Sequence, residues 1–304
     1  MEPIIFAGTP ENAARCLRQL VAAGQNVALV VTREDAPFGR QRTLRPSPVA
    51  VAAEELGIAV LKTNRITAED EGAMASSGVR LAVVVAFGAL LKRSTIDALE
   101  LGWFNLHYSV LPRWRGAAPV QSAILAGDKT TGVTLFKIDE GLDTGDIVGF
   151  AETVIEETED SARLLSRLTD IGSSLLLAEL PKLFSGLATL SGQVGEPTNA
   201  PKLDRQMAKV ELAGGAKAAL RQIRALNPEP GTWMLFNGSP LRIIDAKPSY
   251  EVLPPGELAA TKTGVLLGFG GDSIELQTVQ PAGKNQMPAA DWFRGTKPTE
   301  RNIT

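Results

Sequence analysis

IIFAGTPENAARCLRQLVAAGQNVALVVT, residues 4–32, is an apolar run, an amphipathic stretch and a second apolar run in succession. IIFAG (4–8) is short, apolar and followed by a turn, which reads as a buried strand. Thr9 is placed to cap a helix, Pro10 suits its first turn and Gly24 suits its end. Between them Leu17, Leu20 and Val21 supply the apolar stripe, and residues 27–32 form the next strand. Strand, helix, strand is the unit of a parallel sheet, because parallel neighbours need a crossover connection that a tight turn cannot make.

The same rhythm continues outward. A polar loop at 33–47 leads to a helix from Pro48 to Leu56 and a short strand near 58–61. Val79–Ala86 reads as a central strand, WFNLH (103–107) as another, and Pro119–Ala126 as a helix. Strand 132–138, the loop DEGLDTGD (139–146) and strand 147–155 follow. Leu164, Leu168, Ile171 and Leu175 then recur at helical spacing behind Asp160, a candidate cap. The expected fold class is α/β: a Rossmann-like, mostly parallel open sheet over residues 1–187. Such sheets bind ligands at the carboxyl ends of their strands. Asn105, His107 and the loop after strand 132–138 are expected to meet there.

Residues 188–204, rich in Gly, Pro, Ser and Thr, suit a linker. A helix at Gly215–Leu226 follows, and then short β segments separated by Gly/Pro turns: TWMLF, LRIIDA, GELAA, GVLLGF and SIELQTV. A small, OB-like β-barrel over residues 205–304 is the natural closure for so many short strands.

Composition narrows the chemistry. The longest apolar run, Leu81–Leu91, has eleven residues, whereas a membrane span needs about 20. MEPIIFAGTP lacks the basic flank of a signal peptide, so a cytoplasmic protein is expected, with no membrane partner. One Cys and one His cannot build a Cys/His zinc site, and no metal is expected. The net charge of −3 argues against bulk binding of nucleic acid. The acidic excess lies in residues 1–185, however, and residues 186–304 are slightly basic, which leaves room for a local basic face.

Three features invite a functional reading. AGTPEN after the first strand has only Gly8 ahead of the helix and lacks both G-x-G-x-x-G and G-K-[ST], so a tight strand-to-helix turn is the simpler role. Cys16, within an amphipathic helix, is most simply a small core residue. His107 carries more. Alternation puts Asn105 and His107 on one face of their strand, so an amide and an imidazole can approach one reacting centre. Asp143 in GLDTGD is a candidate partner that would set the tautomer of His107 or raise its pKa, and Asn105 a candidate oxyanion donor.

NLHYSVLPRWRGAAPVQ followed by GLDTGD resembles the methionyl-tRNA formyltransferase family, as do IIFAGTP, PSPV at 46–49, VVAFG at 84–88, IRALNP near 223–228 and QPAGKNQM at 280–287. Asn-x-His with a downstream Asp fits any folate-dependent formyltransferase, while PRWRGAAP and QPAGK point to the tRNA-modifying branch. The resemblance implies transfer of a formyl group from 10-formyltetrahydrofolate to the α-amino group of methionine on initiator tRNA, by a monomer, for translation initiation. A formyltransferase or formyl-folate hydrolase acting on a small amine or water is the rival enzyme, and a noncatalytic tRNA- or folate-binding homologue the rival of another class.

On this resemblance Asn105, His107 and Asp143 fall on the catalytic positions. Ser109, Val110, Leu111 and Pro112 fall on the folate-binding segment, with Val110 in place of the usual leucine. Phe87 and Leu90 are candidate walls for the pterin. Arg40, Arg42 and Arg45, with Arg33, lie in the loop whose counterpart touches the acceptor arm of tRNA, and Lys202, Arg205, Lys209, Arg221 and Arg224 would extend the track. Two departures stand near the site: Tyr108 where members carry a small residue, and Asn12 in place of an aromatic.

Overall fold

A computed structural model describes residues 1–39, 42–296 and 303. The chain divides into two compact units, one of Met1–Pro119, Thr130–Val154 and Leu164–Ala200, the other of Val120–Lys129, Ile155–Arg163 and Pro201–Thr304.

The first unit begins as its sequence suggests, with β1 (Ile4–Gly8), α1 (Glu11–Ala22) and β2 (Val27–Thr32). Thr9, however, is not the cap of α1: Pro10 holds that position, and the Thr9 hydroxyl donates to the Phe87 carbonyl at 2.8 Å. The 33–47 stretch is not all loop either, since β3 (Ala36–Phe38) and β4 (Thr43–Arg45) pair as an exposed hairpin. Then come α2 (Pro48–Glu55), β5 (Val60–Lys62), α3 (Ala68–Ser76), β6 (Leu81–Val85), α4 (Arg93–Asp97) and β7 (Gly102–His107). Ser47 caps α2 by accepting the Ala50 N–H at 3.0 Å, with Pro48 in the first turn.

After β8 (Arg115–Gly116) and α5 (Pro119–Ala126), two longer strands, β9 (Thr130–Lys137) and β10 (Ile147–Val154), complete a seven-stranded sheet of order β10-β9-β7-β6-β1-β2-β5. The pairs from β5 to β7 are parallel, whereas β9 and β10 are antiparallel. Apolar residues cover both faces of the parallel strands, so β1 and β6 are buried throughout, as helix-covered strands must be. Trp103 is fully buried and donates its indole N–H to the Thr95 carbonyl at 2.8 Å. Burial of a large apolar side chain of this kind contributes about 1.5–3 kcal/mol. The helix α6 (Ser161–Ser185) follows, with Asp160 accepting the Arg163 N–H at 2.8 Å as its cap. The segment beyond it ends in β11 (Asn199–Ala200), paired in parallel with β8.

In the second unit α7 (Gly215–Leu226) precedes β12 (Trp233–Phe236), β13 (Ser239–Ser249), β14 (Leu258–Ala260), β15 (Val265–Gly268), β16 (Ser273–Pro281), β17 (Met287–Pro288) and α8 (Ala289–Arg294). The strands form one antiparallel sheet, β12-β13-β16-β15-β14 with β17 on β16, curled as a half-barrel. Register shifts between Ile243 and Ala246 supply the bend, because a bulge adds a residue to one strand only. Leu241, Ile243, Ile274 and Leu276 alternate inward and pack with Ile223 of α7 and Phe293 of α8. Asn227 anchors the turn after α7, its amide donating to the Ile223 and Ile243 carbonyls at 3.1 and 2.9 Å.

Candidate active site

β7 presents Asn105 and His107 on one face, two residues apart. Their antiparallel partners on β9 are Phe136 and Thr134, which share that face. Asn105 is half-buried and His107 is 5% exposed. The imidazole stands edge-on to Phe136, with centroids 6.4 Å apart. Nε2 lies 2.8 Å from the Trp114 carbonyl oxygen. A carbonyl can only accept, so Nε2 carries the proton and Nδ1 holds the free lone pair. Nδ1 lies 3.6 Å from Asp143 Oδ2, within ion-pair reach yet longer than a hydrogen bond. Burial pushes the His107 pKa below its ordinary 6.5, while Asp143 and the Trp114 carbonyl pull the other way.

Asp143 arrives by a route that strand order alone does not suggest. Because β9 runs antiparallel to β7, its last residue, Lys137, lies opposite Phe104, near the start of β7. The 139–146 loop therefore doubles back by about 10 Å, three residues of strand, to bring the carboxylate to His107. Asp139 Oδ1 accepts the Gly141 N–H at 3.0 Å and the Thr144 hydroxyl at 2.7 Å, which folds the loop on itself. Gly145 packs against the Lys137 carbonyl with no room for a Cβ. Asp143 has φ +54°, a sparsely populated conformation for a side-chain-bearing residue, and its Oδ2 accepts the Gly116 N–H at 2.7 Å.

The turn after His107 is tied to the sheet by Thr134. Its buried hydroxyl accepts the Leu111 N–H at 3.1 Å and donates to the Ser109 carbonyl at 2.7 Å. Ser109, Leu111 and Pro112 are buried and Val110 is half-buried. The Ser109 hydroxyl donates to the Arg113 carbonyl at 2.5 Å.

Neither Thr134 nor the residues of 188–204 stand out in the sequence, and both shape the site. Thr198 accepts the Trp114 N–H on its hydroxyl and the Arg115 N–H on its carbonyl, each at 2.8 Å. Gln193 bonds both Arg115 and the Asp143 loop. A stretch with the composition of a linker is thus a wall of the site.

Of the other candidates, Phe87 is 2% exposed and belongs to the core, while Leu90 is 93% exposed. Arg42 and Arg45 are exposed on the β3–β4 hairpin, where the Arg45 guanidinium lies 4.4 Å from the centre of the exposed Phe38 ring. Arg40 lies outside the described residues. Arg33 donates to the Asn64 side chain and the Gly88 carbonyl. In the second unit, Arg221 and Arg224 donate to the Leu125 and Glu159 carbonyls, so both serve packing within that unit. The two departures meet: Asn12 Nδ2 donates to the Tyr108 hydroxyl at 2.9 Å, beside Thr169 Oγ1 at 3.3 Å, and burial lifts the phenol to about 12. Cys16 is buried, which lifts its thiol to about 12 and leaves it unreactive. Among the described residues no group of three His, Cys, Asp or Glu side chains could hold a metal ion, and no helix is long and apolar enough to cross a membrane.

The formyl transferase family model matches residues 2–180, and the formyl transferase C-terminal domain model matches residues 202–297. A methionyl-tRNA formyltransferase of Leifsonia xyli is 45% identical over 293 residues, covering 96% of this chain and 97% of that protein. One from Streptomyces coelicolor is 44% identical over 302 residues, covering 98% and 97%. Among solved structures, an N-formyltransferase from Helicobacter canadensis in complex with folinic acid and dTDP-3-aminofucose shares the fold, with a TM-score of 0.69 at 20% identity over 92% of this chain and all of that one. The chain belongs to the methionyl-tRNA formyltransferase family of formyl transferases.

Proposed function

We propose that this protein transfers the formyl group of 10-formyltetrahydrofolate to the α-amino group of methionyl initiator tRNA, acting as a cytoplasmic monomer without a metal. The observation that carries this reading is the buried His107, whose Nε2–H is held by the Trp114 carbonyl while Nδ1 faces Asp143 at 3.6 Å. Identity of 45% and 44% over nearly the full length to proteins named for that activity supports methionyl-tRNA as the acceptor, and the formyl transferase family match supports a formyl-folate donor.

The folate supplies a formyl carbon bonded to an amide-like nitrogen. As the amine nitrogen bonds to that carbon, negative charge develops on the formyl oxygen, and the Asn105 amide, on the same strand face as His107, donates to it. His107 Nδ1 takes the proton that the amine loses. The resulting imidazolium is stabilised by the Asp143 carboxylate on one side and the Trp114 carbonyl on the other. His107 then returns the proton to the folate nitrogen as its bond to the formyl carbon breaks, so protons balance and the imidazole ends neutral. A lowered pKa keeps His107 neutral, ready to accept, at neutral pH.

The turn Ser109–Pro112 serves as the folate-side wall, its shape set by Thr134 and its half-buried face by Val110. Residues 1–187 are the catalytic domain, 188–204 a connecting segment that also walls the site through Gln193 and Thr198, and 205–304 a tRNA-binding domain. The hairpin bearing Arg42 and Arg45, together with Arg40 of the same sequence stretch, contacts tRNA phosphates through guanidinium forks. Incubation with 10-formyltetrahydrofolate and methionylated initiator or elongator tRNA tests this directly. Formyl-methionine on the initiator alone is expected, and no product above background, or formyl transfer that needs no tRNA, would overturn it.

A further inference from the structure

Asp143 is held at two points, and both lead to the same dipeptide. Its carboxylate accepts the Gly116 N–H at 2.7 Å. Its backbone carbonyl accepts Gln193 Nε2 at 2.8 Å, and the same nitrogen donates to the Gly145 carbonyl at 3.0 Å. The other end of that amide, Oε1, accepts Arg115 Nε at 3.1 Å and Nη2 at 2.6 Å. The half-buried Gln193 side chain thus uses both ends of its amide to join the 141–145 loop to Arg115.

Arg115 is equally well fixed. Its N–H donates to the Thr198 carbonyl at 2.8 Å, and β8 pairs with β11. The residue before it, Trp114, provides the carbonyl that holds His107 Nε2. A continuous path of hydrogen bonds and chain therefore runs from His107 through Trp114, Arg115 and Gln193 to the backbone of Asp143. It spans the two groups that face each other across 3.6 Å without a direct bond.

From this geometry we propose that Gln193 is a positioning residue for formyl transfer: by tying the backbone of the Asp143 loop to Arg115, it sets the separation between the Asp143 carboxylate and the His107 imidazole. The catalytic part of this inference rests on the function proposed above, and the geometric part stands without it. A residue at φ +54° keeps that conformation only where its surroundings fix it, and the Gln193 side chain bonds two carbonyls of this loop at once. Misplacement of a reacting group by about 1 Å costs on the order of 100-fold in rate.

The test compares the full chain with Gln193→Ala and Gln193→Glu. Glutamate keeps the length of the side chain and can still pair with Arg115, but it turns the Nε2 donor into an acceptor facing two carbonyls. Val194→Ser, at a neighbour that is 90% exposed, is the control. In steady-state formylation both Gln193 variants are expected to lose about 10- to 100-fold in kcat, with KM for folate and for methionyl-tRNA within about twofold of wild type. A rise in KM with kcat intact would overturn the proposal. The second measurement needs no substrate. His107 is the only histidine, so its imidazole titrates as a single NMR resonance. Gln193→Ala, which leaves the charge of the site unchanged, should move that titration in the same direction as Asp143→Asn does. A titration that superimposes on wild type, or that moves oppositely, overturns the proposal. Wild-type protein inert toward methionyl-tRNA would instead overturn the proposed function, leaving the titration to decide on Gln193.

Discussion

Asp143 Oδ2 stands 3.6 Å from His107 Nδ1 and accepts the Gly116 N–H at 2.7 Å, so the carboxylate is anchored by the backbone and only faces the imidazole. In the mechanism proposed above, the anchoring bond would keep the charge in place, and the open gap would let the imidazole gain a proton with a stabilising charge already present. Asp143→Asn separates these roles, because asparagine tolerates the left-handed backbone at φ +54° and retains an oxygen for Gly116. The expected result is a fall in kcat of about 100-fold or more with tRNA affinity within about twofold, measured by single-turnover formylation and filter binding. Equal losses in both would remove Asp143 from the chemistry.

If His107 is the proton acceptor proposed above, its protonation state sets the acid limb of the pH profile. Burial holds its pKa below 6.5, so kcat/KM is expected to rise with pH along a limb whose midpoint is below 6.5. Stability follows the same shift. The unfolded chain binds the proton near pH 6.5, whereas the folded chain binds it only at lower pH. The contribution is therefore fully present above 6.5 and is lost as pH falls toward the folded value. Melting curves of wild type and His107→Asn across pH test the sign: the difference between them should be flat above 6.5 and change only on the acid side.

Gly116 is required by two independent constraints. Its φ is +123°, and a Cβ there would lie 2.5 Å from the Ala200 carbonyl oxygen. Gly116→Ala should therefore cost about 1–3 kcal/mol of stability through backbone strain and displacement of β11. Because the same residue donates to Asp143, kcat should fall as well. A variant with wild-type melting temperature and wild-type activity would contradict this account.

The hairpin prediction concerns binding alone. Replacing Arg42 and Arg45 with alanine removes two exposed guanidinium groups far from the reacting centre in sequence. Weaker tRNA binding is expected, and the slope of log K against log salt should shrink by about 0.7–0.9 for each phosphate that is no longer neutralised. kcat at saturating tRNA should be unchanged. An unaltered slope would move the phosphate-binding role to another surface.

Local order is legible residue by residue. The apolar run 4–8, the stripe of α1 and the run 27–32 announce strand, helix and strand because backbone periodicity is decided within a dozen residues. Alternation likewise places Asn105 and His107 on one face. The start of α3 is written locally too, since Thr67 and Asp70 form a reciprocal capping box at the expected spacing, yet the helix behind it has no apolar stripe to read, with Met74 its one buried residue. The β3–β4 hairpin is hidden by its exposure, because a two-stranded ribbon open on both faces has no buried alternation to read.

What the sequence by itself determined, then, is most of the buried strands and amphipathic helices, their class and the motif that marks the family. Tertiary structure alone decided that β9 would run against β7 and that its loop would turn back to His107. It also decided that the Trp114 carbonyl would choose the imidazole tautomer and that Gln193, fifty positions beyond Asp143, would hold that loop. The physical reason is range: helix and strand patterns report interactions between near neighbours, whereas these bonds form only once distant segments have packed, and no spacing along the chain encodes which carbonyl a given amide will meet.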